Sequence, residues 1–150
     1  MNVNLMIKME SGFEGNVPKQ AHEGDAGLDI MASLLTPALL KPGERRLISC
    51  GFSMALPEGF EAQMRPRSGL AIKKGISLVN SPGTIDSGYR GVVGAIVINH
   101  GDEPFIINNG DRIAQIVIAE VPKVKMILVS ALPDSERGAG GFGSTGVGKA

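Results

Sequence analysis

The chain has 150 residues, with 15 Lys and Arg balanced by 15 Asp and Glu and with 43% hydrophobic residues. That length fits one domain with its own core, and the zero net charge removes the electrostatic case for binding a nucleic-acid polymer or an anionic membrane. No apolar run approaches the roughly 20 residues of a membrane span, residues 1–10 lack a signal-peptide pattern, and a single cysteine excludes a disulfide framework, so we expect a cytoplasmic protein. The 21 glycines and nine prolines predict short strands separated by turns, because both residues interrupt helices.

Apolar runs between turn residues predict strands spaced about ten residues apart. In one run Phe60, Ala62 and Met64 alternate with polar residues, which is the pattern of a half-buried strand. The predicted strands are residues 47–54, 60–64, 76–79, 91–98, 105–107, 112–121 and 124–132. This arrangement is typical of a sandwich, a jelly roll or a barrel.

The predicted strand at residues 112–121 is apolar on both faces, with Ile113 and Val117 on one face and Ile116 and Ile118 on the other. An antiparallel sheet in a chain of this size normally leaves one face in water, so the second face needs a cover. Either another subunit or another sheet of the same chain would supply it.

Residues 133–150 differ from the rest because glycine dominates them. Such a segment loses much entropy when it orders, so we expect a domain at residues 1–132 and a flexible C-terminal lid at residues 133–150. Residues 141–146 fit G-x-G-x-x-G and residues 143–149 fit most of a phosphate-loop pattern, but we expect no helix after either one and reject both interpretations.

The tail nevertheless carries groups that suit a nucleotide. Glycine N–H groups, the hydroxyls of Ser144 and Thr145 and the guanidinium of Arg137 can bind phosphate oxygens. Phe142 has no core to join and can cap a flat ligand. The alternative is a disordered tail without a ligand.

Shorter segments place polar side chains at the ends of predicted strands. Residues 66–70 put Arg67, a hydroxyl and a glycine where they can wrap a phosphate, and residues 26–30 put Asp29 between apolar neighbours. Taken alone, each segment is equally compatible with an exposed turn. Gln115, inside an apolar strand, needs hydrogen-bond partners if it is buried.

Residues 83–91 hold the densest group of candidate residues. Asp86 and Tyr89, the only tyrosine, lie there between turn residues. A carboxylate held rigidly between two turns suits a general base. The alternative is a hairpin with an ordinary turn aspartate.

Five segments, in this order, resemble the five motifs of the trimeric deoxyuridine triphosphatases (dUTPases). They are residues 26–30 (AGLDI), 66–69 (PRSG), 83–91 (GTIDSGYRG), 110–115 (GDRIAQ) and 137–146 (RGAGGFGSTG). The resemblance spans about residues 5–146, and the order and spacing carry it rather than any one motif. The departures are Leu28 where an aromatic residue is frequent, Gly88 where many members carry Asp, and Val92 where an acid often follows.

The resemblance implies an all-β, jelly-roll-like β-barrel of the β-clip type that assembles as a homotrimer with a flexible C-terminal arm and shared active sites. It implies hydrolysis of dUTP to dUMP and pyrophosphate, with Asp86 deprotonating the water that attacks the α-phosphorus. Mg²⁺ is implied as the cofactor, held by the triphosphate and waters and not directly by the protein. Asp29 and Gln115 would belong to the polar network around that water shell.

The resemblance also implies how the substrate is chosen. Asn80 and backbone groups of a hairpin over residues 79–94 would pair with uracil and leave groups unpaired against cytosine, and Tyr89 would pack under the deoxyribose and exclude a 2′-hydroxyl. The tail would close as a lid with Phe142 on the base. The implied substrate-binding residues are Arg67, Ser68, Gly69, Asn80, Thr84, Ile85, Asp86, Tyr89, Gly94, Arg137, Phe142, Gly143, Ser144 and Thr145.

Two other functions remain open from the sequence. A deoxycytidine triphosphate deaminase of the same fold needs a catalytic acid near the base, where the hairpin offers Asp86 and no glutamate. A trimeric protein that binds nucleotide without cleaving it would need neither Asp86 nor the tail.

Overall fold

The computed structural model describes residues 2–149, which form eleven strands and one short helix. The strands are β1 (Met6–Met9), β2 (Gly27–Met31), β3 (Ala38–Leu40), β4 (Arg45–Ser49), β5 (Phe52–Ala55), β6 (Phe60–Arg65), β7 (Ile76–Leu78), β8 (Gly83–Asp86), β9 (Gly94–Asn99), β10 (Phe105–Ile107) and β11 (Arg112–Glu120), and the helix is α1 (Ser68–Lys74). The helix has seven residues, which is too short to cross a membrane. The all-β prediction is confirmed. Residues 1 and 150, the outer ends of the two predicted segments, lie outside the described residues.

The strands pair antiparallel in four small sheets. The largest has the order β2-β11-β6-β8, and the others are β4-β9-β7, β1-β5 and β10-β3. Because none of the chain's aromatic residues is Trp, aliphatic side chains fill most of the core around Phe52. The fully buried members include Ile30, Leu40, Ile48, Phe52, Val97, Ile107 and Ile116.

The strand β11 lies between β2 and β6, so both of its edges are paired. Ala114 and Ile116 are buried on the core face, whereas Gln115 and Val117 on the opposite face are half-buried. The strand β11, which is apolar on both faces, therefore has one face in the core and one face that this chain covers only partly.

Three of the predicted strands differ from the structure. The strand predicted at residues 91–98 begins only at Gly94, in β9. Residues 47–54 form β4 and β5 with a break at Gly51, which has a φ of 71° and lies so close to Ser33 that a Cβ at position 51 would be 2.6 Å from the Ser33 Cβ. Residues 124–132 form no strand, because no other strand of residues 2–149 pairs with them, and their side chains are exposed.

The segment after β6, for which an exposed turn was the alternative interpretation, continues into α1. Arg67 has an extended backbone before the first helical residue, and Gly75 ends the helix with a φ of 67°. The Gly75 N–H bonds to the carbonyls of Leu70 and Ala71, which are otherwise free at the helix end. The helix thus holds Arg67 at a fixed angle to the edge of the largest sheet.

Candidate active site

One polar cluster forms where β2, β11 and β6 lie side by side. Gln115 pairs with Asp29 on one side and with Arg65 on the other, so the three side chains share the outer face of the sheet. The carboxylate of Asp29 is 3.1 Å from Arg67 Nε and 3.5 Å from Arg112 Nη1. With only 16% of its side chain exposed, Asp29 anchors both cations at this end of the sheet.

Arg67 and Gln115 are fixed further by backbone carbonyls. Arg67 Nη1 donates to the Arg112 carbonyl at 3.1 Å, and Gln115 Nε2 donates to the Pro66 carbonyl at 3.0 Å. The Gln115 side chain lies directly against Gly27, where a Cβ would collide with its Oε1. Gly27 is therefore needed for Gln115 to reach Pro66.

Ser68 and Gly69 occupy the first turn of α1 and are exposed beside this cluster. The predicted residues Asp29, Arg67 and Gln115 thus come together with Ser68 and Gly69. Their N–H, hydroxyl and guanidinium groups are the donors that phosphate oxygens accept from.

A second cluster lies at the opposite end of the same sheet. Thr84, Ile85, Asp86, Tyr89 and Gly94 line a cavity of about 200 Å³. Asp86 ends β8 and is exposed, and within residues 2–149 no hydrogen bond or ion pair occupies its carboxylate. A free carboxylate at a cavity wall can accept a proton from water.

A larger cavity of about 560 Å³ adjoins the first and shares Tyr89 and Gly94 with it. Asn80 is on its wall, and the Asn80 amide lies 3.0 Å from the position that a Cβ at Gly83 would take. Sequence reasoning missed its other lining residues Glu10, Ser11, Phe13, Leu47, Ser49, Val92, Val93 and Ile96.

The predicted hairpin over residues 79–94 has its stem in β7 and β9. The Val79 N–H extends that pairing to the Ile96 carbonyl at 2.9 Å. Between the two strands of the stem, β8 pairs instead with β6, so Asp86 lies opposite Glu61. The hairpin therefore reaches the largest sheet and carries Asp86 to its edge.

The two clusters do not meet within one chain. Residues that lie directly opposite one another on neighbouring strands form a row across the sheet. One row contains Asp29, Gln115 and Arg65, and another contains Asp86 and Glu61. These two rows are four residues apart on β6, which is about 13 Å along the strand. A ligand in the cavity beside Asp86 thus lies well away from Arg67 of the same chain.

The tail residues Arg137, Phe142, Gly143, Ser144 and Thr145 approach neither cluster. Within residues 2–149 the tail makes only local hydrogen bonds, such as Arg137 Nε to the Gly140 carbonyl at 2.8 Å, and the Phe142 side chain is fully exposed.

Sequence reasoning also missed the role of Arg112. It belongs to the segment 110–115, but only the register of β2 against β11 brings it to Asp29. The sequence also did not predict Leu47 as a lining residue. Its side chain lies against Gly94 only because β4 pairs with β9. No group of three or more His, Cys, Asp or Glu that could hold a metal occurs among the described residues.

Comparisons of sequence and of fold with known proteins find relatives of this chain. The dUTPase family model matches residues 14–146. A curated deoxyuridine 5′-triphosphate nucleotidohydrolase from Rhizobium rhizogenes is 52% identical over 144 residues, which cover 95% of this chain and 92% of that protein.

Solved structures are similar over nearly the whole chain. A mutant of the Staphylococcus bacteriophage 80alpha dUTPase with dUpNHpp has a TM-score of 0.86 and 28% identity, covering 96% of this chain and 99% of that one. A mutant dUTPase from phage phi11 of S. aureus, described with a structural Mg(II) ion, has a TM-score of 0.78 and 24% identity over 87% of this chain and 99% of that one. The second likeness shows the fold alone.

Proposed function

This chain belongs to the dUTPase family, and on that premise we propose how its residues carry out the reaction. The enzyme hydrolyses dUTP to dUMP and pyrophosphate, which lowers dUTP and supplies dUMP for thymidylate synthesis. The proposal for its site rests on the carboxylate of Asp86, which has no partner within residues 2–149 and lies on the wall of a cavity that is also lined by the chain's only tyrosine.

Asp86 is the general base. Its carboxylate takes a proton from water while the water oxygen bonds to the α-phosphorus, and the bond from that phosphorus to the bridging oxygen breaks so that pyrophosphate leaves with the electron pair. Charge grows on the phosphate oxygens during this step, so the cations that face them contribute most of the stabilisation.

The cavity beside Asp86 and the larger cavity that adjoins it select the base and the sugar. Asn80 and backbone groups of the hairpin at residues 79–94 pair with uracil, and cytosine would leave them unpaired at a cost of about 1–3 kcal/mol for each group. Thr84, Ile85 and Gly94 form the walls, which also exclude the methyl group of thymine. Tyr89 packs under the deoxyribose and leaves no room for a 2′-hydroxyl.

The phosphate-binding residues Arg67, Ser68 and Gly69 serve the cavity of a neighbouring subunit. The support is the separation of about 13 Å along β6 between the rows of Gln115 and Asp86, with Arg67 held at the Gln115 end by Asp29 and by the Arg112 carbonyl. In a homotrimer with three shared sites, each chain would give its Arg67, Ser68 and Gly69 to the cavity of the next chain.

The exposed apolar residues after β11 also support an assembly. The sequence pattern of this segment predicts a strand, but four of its apolar side chains are each at least 78% exposed: Val124, Met126, Leu128 and Leu132. Contiguous exposed apolar surface of this kind marks an interaction site. In the proposed trimer another copy covers it, together with the half-buried face of β11.

Mg²⁺ is the proposed cofactor and is held mainly by the triphosphate and water. The donor set fits this role, because the carboxylate of Asp29 is already paired with Arg67 and Arg112 and the described residues offer no cluster of direct ligands. Asp29 and Gln115 would contact the water shell of the ion. When bound, Mg²⁺ neutralises charge on the phosphate oxygens.

The C-terminal lid completes the site. Phe142 stacks on uracil, and Arg137, Gly143, Ser144 and Thr145 bind the phosphates once the substrate is in place. The support is that, within the described residues, the Phe142 ring is fully exposed and the hydrogen bonds of the segment are local. Closure would exclude bulk water. A cytoplasmic location stays a prediction from the sequence.

Pyrophosphate release from dUTP, dCTP, dTTP and UTP in the presence of Mg²⁺ tests the function. We expect release from dUTP alone, and Asp86→Asn should bind dUTP but lower kcat by about 10²–10⁴-fold because the base is lost. Deamination of dCTP, or binding of dUTP without turnover by the parental enzyme, would contradict the proposal.

Glu61→Gln is the matched control. Glu61 lies opposite Asp86 on the same sheet face, but it accepts a hydrogen bond from Gln63 at 2.7 Å and lines neither cavity. It should retain parental turnover. Equal losses in the two variants would assign the effect to the charge of the sheet and not to a base at Asp86.

A further inference from the structure

The side chain of Tyr89 is folded back over its own turn. Its N–H donates to the Asp86 carbonyl at 3.1 Å, and its hydroxyl donates to the Val92 carbonyl at 3.1 Å. Arg90 closes the same turn by donating to the carbonyls of Ser87 and Tyr89. The Tyr89 backbone is therefore tied to Asp86, and the hydroxyl end of its ring is tied to Val92.

Gly91 lies directly against that ring. A Cβ at position 91 would be 2.6 Å from Cζ and 3.0 Å from Cε2 of Tyr89 and would collide with its Oη. The φ of Gly91 is outside the left-handed region, so an alanine fits the backbone there. The ring, and not the backbone, is what requires a glycine.

We propose that Gly91 is a positioning residue that sets sugar specificity: its missing side chain lets the Tyr89 ring lie flat on the turn between the two cavities. The inference rests on the proposed role of Tyr89 under the deoxyribose and extends it to a residue that touches no substrate. Tyr89 is 46% exposed, so its ring can swing toward solvent when a methyl group is added, and the fold survives.

A displaced ring has a specific consequence. The wall that Tyr89 gives to the cavity moves away, and the space for a 2′-hydroxyl opens. Steric rejection of one small group is a modest effect, so Gly91→Ala should lower the ratio of kcat/KM for dUTP over UTP by about tenfold. KM for dUTP should rise more than kcat falls, because Asp86 keeps its place at the end of β8.

Gly88→Ala is the matched control. Gly88 lies in the same turn, also has a φ outside the left-handed region, and has no atom within 4 Å of an added Cβ. The control should keep the parental ratio. A ratio that falls equally in both variants, or in neither, would overturn the inference.

Ring position can be read without activity, because Tyr89 is the only tyrosine and the chain has no tryptophan. Near-ultraviolet circular dichroism and tyrosine fluorescence anisotropy therefore report on this ring. Gly91→Ala should lose the tyrosine dichroism and lower the anisotropy, and Gly88→Ala should change neither. If the ratio falls while these signals stay parental, Gly91 does not act through Tyr89 and the inference fails.

A double variant separates the inference from the proposed function. In a Tyr89→Ala background, Gly91→Ala should leave the dUTP to UTP ratio unchanged, and a further fall would contradict the coupling. If the parental protein fails to cleave dUTP, the proposed function fails, while the spectra still decide whether Gly91 positions the ring.

Discussion

Burial changes the chemistry of one residue strongly. Cys50 is 0% exposed, and loss of hydration raises the pKa of its thiol from 9.0 to about 12, only partly offset by a backbone hydrogen bond from Ala95. The folded protein therefore keeps the thiol protonated where the unfolded chain ionises it.

This difference predicts a pH dependence of stability. Above pH 9 the unfolded chain releases the Cys50 proton and the folded chain does not. Ionisation therefore stabilises the unfolded state, and the free energy of unfolding falls until the pH passes about 12. The unfolding free energy of the parent minus that of Cys50→Ala should drop by about 1 kcal/mol from pH 9 to pH 10, measured by urea denaturation.

The subtraction removes the contributions of every other group, which the two proteins share. A difference that stays constant over this range would show that Cys50 ionises as easily when folded as when unfolded. A thiol reagent gives the same answer by another route, because Cys50 should react only after denaturant is added.

Predicted site residues come together where one motif holds them in a short segment. Thr84, Asp86 and Tyr89 come from residues 83–91, and they line one cavity. Arg112 and Leu47 were missed because their contacts cross strands that lie far apart in sequence, and strand register is set by tertiary pairing and not by local pattern.

At the scale of elements, alternation of apolar and polar residues predicted β6, and a run that is apolar on both faces predicted β11. Residues 124–132 carry a strand pattern but lack a partner strand within the described residues. The helix α1 was missed because its seven residues are too few to show helical periodicity, and the glycine at position 69 has a low helix propensity.

The C-terminal lid is an element whose function can be tested by removal. A chain ending at Leu132 should keep its assembly but lose about 100-fold in kcat/KM for dUTP, because the donors of Arg137, Ser144 and Thr145 no longer face the phosphates. Steady-state pyrophosphate release measures the loss, and light scattering checks the assembly.

A chain ending at Gly146 is the control for this truncation. It keeps every predicted lid residue and removes only the last four, so it should match the parent. Full activity of the shorter chain would show that the lid contributes nothing to the reaction.

At the scale of the whole molecule, the decisive feature is the distance between the two clusters. Asp29, Arg67 and Gln115 were predicted to act on the same substrate as Asp86, yet one chain holds them at opposite ends of the β2-β11-β6-β8 sheet. No sequence pattern shows this separation, because it follows from how β8 pairs with β6. A shared site reconciles the separation with one reaction.

Sharing predicts that two inactive chains rescue each other. Arg67→Ala lacks the phosphate cation and Asp86→Asn lacks the base, and each alone should form an inactive trimer. In trimers assembled from an equal mixture, about one quarter of the sites combine an intact Asp86 from one chain with an intact Arg67 from its neighbour. Co-refolding the two variants should therefore restore about one quarter of the parental pyrophosphate release.

The control mixes each variant with itself and should remain inactive. Mixing either variant with Arg67→Ala/Asp86→Asn chains should also give no rescue, because one of the two groups is then absent from every site. If each site were complete within one chain, the equal mixture would stay as inactive as its parts. Rescue in the equal mixture alone assigns Arg67 and Asp86 to different subunits of one site.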